Sequence, residues 1–132
     1  MNRSDARAAA MKLIYEWEMG GDGGDETVSG ILEISPDDPG FAYSRRLFDG
    51  VTQNAAALDE RIATFAVGWK LDRITRVDLA ILRLAAFELQ LGEVPPAVVV
   101  SEAVELSRIY STDKAGAFIN GVLGGMLRAP KS

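Results

Sequence analysis

The chain has 132 residues, 48% of them hydrophobic, a formal charge of −5 and neither histidine nor cysteine. This predicts one soluble domain over residues 1–132, since no apolar run approaches the roughly 18 residues of a membrane span. Without His or Cys there is no disulfide framework, thiolate zinc site, thiol nucleophile or histidine base, which leaves enzymes little beyond carboxylate chemistry.

The opening stretch "MNRSDARAAAMKLIYEWEMG" carries charges throughout and lacks the uninterrupted apolar core of a signal peptide, so a cytoplasmic protein is expected. A first helix is predicted from Ser4 to Met19, with Ala6, Ala10, Leu13, Ile14 and Trp17 on its buried side. Arg3, Arg7, Met11 and Tyr15 form an i+4 row on it. Two guanidiniums and a ring suit single-stranded RNA, Arg on phosphate and Tyr on a base; a solvated face with a half-buried tyrosine is the alternative. "GGDGGD" ends the helix, a short helix is expected over Glu26–Glu33, and "SPDDPG" breaks the chain again. Residues 22–39 hold six acids and no Lys or Arg, whereas from residue 40 onward eleven basic residues face ten acidic ones. A basic surface is therefore possible locally despite the net charge.

From Phe41 to about Ala66, Leu47, Val51, Asn54, Leu58, Ile62 and Phe65 keep a helical period, which predicts one long helix with Gly50 as a point of bending. The acidic neighbours Asp37-Asp38 and Asp59-Glu60 read as solvated charge rather than a catalytic pair, because adjacent residues on a helix do not face each other. Next, Thr75 is an N-cap with Asp78 three residues on, an Asp variant of the capping box. Val77, Ile81, Leu84, Ala85 and Leu91 make the stripe behind it, which only Glu88 interrupts. Lys70, Arg73, Arg76 and Arg83 are interleaved with Asp72 and Asp78 and read as ordinary surface pairing. Pro95-Pro96 open a further helix carrying Val99, Ala103, Leu106 and Tyr110.

The last segment, "AFINGVLGGMLR", contains Asn120-Gly121, a dipeptide that usually turns a hairpin. Its flanks do not alternate. Ala115, Phe118, Ile119, Val122, Leu123, Met126 and Leu127 form a continuous helical stripe instead, so Asn120 and Gly121 are predicted inside a helix. Each interior glycine costs roughly 1 kcal/mol against alanine, so Gly121, Gly124 and Gly125 call for the close approach of another backbone or a ligand. With no strands, the expected fold is all-α, six or seven helices packed as two small bundles.

"ARAAAMKLIYEWEM", "VDLAILRLAAFELQLGEVPPAVVVSEAVELSRIY" and "AFINGVL" together resemble the NusB transcription antitermination family, in the right order and across nearly the whole chain. The resemblance implies a non-enzymatic protein without cofactor or metal that binds the boxA element of ribosomal RNA leaders together with the small-subunit ribosomal protein NusE. The pair would load onto the RNA polymerase elongation complex. By the same analogy Arg3, Arg7, Tyr15 and Phe118 take RNA-binding positions, and Tyr15 and Asp78 take positions on the NusE-facing side. Asn120-Gly121 then reads as a helical family signature in which the glycine permits close helix packing. This chain has "NRSDAR" where the family has a run of basic residues, and Ala117 and Ser101 where it has Lys and Asn, which implies weak RNA binding by the chain alone. The alternatives are a NusB-like scaffold, homodimeric or protein-binding only, that has lost most RNA binding; the RNA-binding domain of a ribosomal RNA methyltransferase; and a carboxylate hydrolase.

Overall fold

In the computed structural model, residues 1–21, 35 and 37–129 are described, and every regular element among them is helical. α1 spans Arg3–Glu18, α2 Phe41–Gln53, α3 Ala55–Phe65, α4 Arg76–Leu91, α5 Pro96–Tyr110 and α6 Ala115–Arg128, with a short 3-10 turn at Leu71–Arg73. The short helix expected over residues 26–33 lies outside the described residues. No described helix is long and apolar enough to cross a membrane.

The ends of the helices follow local chemistry. Asn2 caps α1 by accepting the Asp5 N–H at 2.7 Å, and Thr75 Oγ1 caps α4 by accepting the Asp78 N–H at 3.2 Å. Gly92, left-handed at φ 69°, ends α4, a conformation that costs a side chain but not glycine. The single long helix expected over residues 41–66 is two. Asn54, at φ −122°, falls out of helical geometry between α2 and α3, and its Nδ2 donates to the Gly50 carbonyl at 2.8 Å. The chain turns at Asn54 rather than at Gly50, because an asparagine side chain can hydrogen-bond nearby backbone that the helix would otherwise keep.

α4 is the central element. It is buried on nearly every side from Asp78 to Glu88, with α1 and α2 packed on one flank and α3, α5 and α6 on the other. The two expected bundles therefore share α4, and Leu13, Ile14, Leu47, Ile62, Ile81, Leu82, Ile119 and Leu123 belong to one continuous core. α1 and α4 run antiparallel: Arg7 near the start of α1 meets Glu88 near the end of α4, and Glu18 at the end of α1 meets Arg76 and Arg83. Asn120 and Gly121 lie inside α6, as the uninterrupted stripe predicts.

Candidate nucleic-acid and partner interface

The i+4 row on α1 is split by the core. Arg3 and Tyr15 are exposed, whereas Arg7 and Met11 are buried, with Arg7 only 4% accessible. The reading of Arg7 as a surface phosphate contact is thus corrected by its surroundings. Its Nε donates to Glu88 Oε1 at 2.6 Å, its Nη2 donates to Glu88 Oε2 at 3.1 Å, and Nη1 lies 3.6 Å from Glu102. Burial opposes the charge on Arg7, but the hydrogen bond and the Coulomb attraction of Glu88 outweigh it and hold the guanidinium above its ordinary pKa. Tyr43 completes the group by donating its hydroxyl to Glu88 Oε2 at 2.8 Å. Burial first, then the Glu88 carboxylate, push the tyrosine pKa upward. Arg3 lies 3.7 Å over the Tyr43 ring with its charge still open to solvent, a cation–π placement at the entrance to α1.

The far end of α1 carries the other candidates. Tyr15 is 36% exposed, and one turn on, Glu18 bridges to Arg76 and to Arg83 at the beginning and middle of α4. Arg83 is not a surface pair as read from sequence: it is buried, donating to Asp59 at 2.7 and 2.8 Å and to Glu18 at 3.0 Å. The Asp59 hydrogen bond, helped by Glu18 against the opposing effect of burial, holds it above its ordinary pKa. Asp59 is accordingly a structural counter-ion. Asp78, in the first turn of α4, is 8% accessible, and its Oδ1 has no hydrogen-bond partner within the chain. A buried carboxylate oxygen without a donor within the chain is costly, which sets Asp78 apart from the paired carboxylates Asp59 and Glu88. Among the described residues no group of three or more acidic side chains is placed to hold a metal ion.

Phe118 lies apart from both α1 sites. It is half-set into the core at the start of α6, and its ring meets that of Trp69 at a centroid distance of 5.6 Å and an angle of 58°. A groove between α5 and α6, lined by Ser4, Val100, Ser101, Ala117 and Asn120 among others, reaches the start of α1 on the other side of α6, and Phe118 does not line it. Arg3 and Phe118 are therefore not brought together by the chain. Trp69 escaped the sequence reading because it stands outside any helical period; its signal was a large aromatic residue in a polar stretch, "VGWKLDR".

The glycines of α6 divide by what lies above them. Gly125 faces Phe65, 3.1 Å from where a Cβ would stand, so helix packing explains it. Above Gly121 there is open space, which corrects the reading that it permits close packing of another helix of this chain.

The family model described as "NusB family" matches residues 4–128. The transcription antitermination protein NusB of Sorangium cellulosum is 42% identical over 123 residues, which are 92% of this chain and 88% of that one. That of Clostridium novyi is 36% identical over 133 residues, 98% and 100% of the two chains. A crystal structure of antitermination factors NusB and NusE in complex with double-stranded RNA superposes with a TM-score of 0.85 at 29% identity, covering 97% of each chain. With helix order, core and end-to-end sequence similarity in agreement, the chain belongs to the NusB family.

Proposed function

We propose that the protein is a non-enzymatic adaptor of transcription antitermination in the cytoplasm, binding boxA-type RNA of ribosomal RNA leaders jointly with NusE and delivering both to the RNA polymerase elongation complex. The observation that carries this reading is the full-length likeness to a NusB crystallised with NusE and RNA. The absence of histidine and cysteine, and the use of Asp59 and Glu88 as counter-ions to buried arginines, support an adaptor over a hydrolase. In this reading Arg3 and Phe118 meet RNA, while Tyr15 and the donor-less Asp78 meet NusE. Arg7 acts from inside, fixing the start of α1 that presents Arg3. The loss of Arg7 from the surface favours one second reading, a protein-binding or homodimeric NusB-like scaffold that retains little RNA affinity.

The test is a titration of boxA RNA and of a scrambled RNA with the purified protein, with and without NusE. Preference for boxA that sharpens when NusE is present is the expected result. Equal, feeble binding of both RNAs with NusE present would leave the scaffold reading standing.

A further inference from the structure

The segment between α3 and α4 exposes two large hydrophobic side chains, one of them the most exposed of its kind among the described residues. Val67 is 87% exposed and Trp69 is 53% exposed, although tryptophan gains more from burial than almost any other residue. Nothing in the core needs the outer part of this ring. Phe118, its one aromatic partner among the described residues, meets it tilted rather than face to face, so ring surface remains uncovered.

Two further observations fall on the same side of α6. Lys114, Phe118 and Gly121 stand at i, i+4 and i+7, hence on one helical face. Lys114 and Gly121 are both exposed, and the space above Gly121 is open although an interior glycine weakens the helix. A glycine that no internal neighbour requires, one turn from the half-buried Phe118 and its exposed partner Trp69, is what a ligand running close along the helix backbone would need. The side chains of Lys70, Arg73 and Lys114 are exposed and make no ion pair among the described residues. The acids in these two segments are Asp72 and Asp113, so the patch stays cationic on a chain that is acidic as a whole. Ring faces beside unpaired cations are the combination that holds unpaired nucleotides, stacking for the base and charge for the phosphate.

We propose that Trp69 and Phe118 form a stacking platform for an unpaired RNA base, with Gly121 admitting the sugar-phosphate chain against α6 and Lys114 neutralising its charge. This rests on the RNA-binding reading above and adds Trp69, Gly121 and Lys114 to it. The occupant is single-stranded RNA; an apolar protein segment would use the rings but not the three free cations.

The experiment uses the full chain in a Trp17→Phe background, so that Trp69 alone reports, titrated with a short single-stranded boxA RNA in the presence of NusE. Trp69 fluorescence is expected to quench with the same midpoint as binding. Trp69→Ala is expected to lower RNA affinity by on the order of tenfold to a hundredfold, while Trp69→Phe, which keeps a ring, retains most of it. Gly121→Gln places a good helix former where there is room for it, so the fold persists while RNA affinity falls. If the wild type binds RNA and Trp69→Ala binds it equally well without any quench in the parent, the platform is wrong and the RNA-binding reading survives. If Trp69→Ala loses NusE but not RNA, the rings are a protein docking surface and the platform is likewise wrong. Failure of the wild type to bind RNA with NusE present overturns both.

Discussion

Arg7 and Glu88, 81 positions apart in the chain, form a buried two-pronged ion pair at 2.6 and 3.1 Å that joins the start of α1 to the end of α4. Removing one partner of such a pair strands the other charge in the core. Arg7→Ala is expected to destabilise the fold by about 3–5 kcal/mol. Arg7→Met combined with Glu88→Leu should recover much of that loss, since both charges leave together. Urea denaturation of the two variants and wild type checks the ordering; an Arg7→Ala protein as stable as wild type would contradict it.

Tyr43 donates to the same carboxylate and has a raised pKa, so it gives the pair a signature at alkaline pH. A group whose folded pKa lies above its unfolded value contributes stability that is fully present below the unfolded pKa, about 10 for tyrosine, and is lost as pH rises through the folded one. Tyr43→Phe should therefore be less stable than wild type near pH 8, with the gap closing above pH 10 or so. Thermal melts of both proteins across that range measure the gap, and a gap that widens with pH would show the sign to be wrong.

The helices were readable from the sequence wherever one face stays buried along its whole length. The stripe through Asn120-Gly121 and the Thr75 cap needed only local spacing, and both stand in the structure. Arg7 was misread because the i+4 rule says which residues share a face but not where the core begins. Arg3 and Tyr15 are outside that boundary, Arg7 and Met11 inside it. A signal did exist: Glu88 was the one interruption in the stripe of α4, and a carboxylate at a core position demands a cation. Which cation it takes depends on helix packing that no local spacing reports. The Trp69–Phe118 pair was hidden for the same reason, since its members are 49 positions apart and one of them lies outside any helix.

Gly50 and Gly121 make opposite predictions from the same residue type. A Cβ at Gly50 would run into the buried ring of Phe87, whereas above Gly121 there is nothing. Gly50→Ala should cost about 1–3 kcal/mol through overpacking. Gly121→Ala should add roughly 1 kcal/mol through helix propensity. Melting temperatures that move in the same direction would refute this account of α6.

Asp78 tests the placement of the NusE side. Its Oδ1 has no donor within the chain, and the bond that caps α4 runs from the Asp78 backbone N–H to Thr75 Oγ1 without using the carboxylate. Asp78→Asn should keep the fold and weaken the NusE complex, and charge reversal to Lys should weaken it further. Titration calorimetry with NusE decides; a variant that binds as wild type does would remove Asp78 from the interface.

The measurement that bears most directly on the central claim is the affinity of boxA RNA at two salt concentrations, for the protein alone and with NusE. With Arg7 buried, Arg3 and Lys114 are the cations that this account places on phosphate. The protein alone should bind at micromolar strength or weaker, with a salt slope of about two phosphate contacts at roughly 0.7 each on a single strand. Adding the basic ribosomal partner should tighten binding and steepen the slope. Nanomolar binding by the protein alone with a steep slope, or no gain from NusE, would contradict the account.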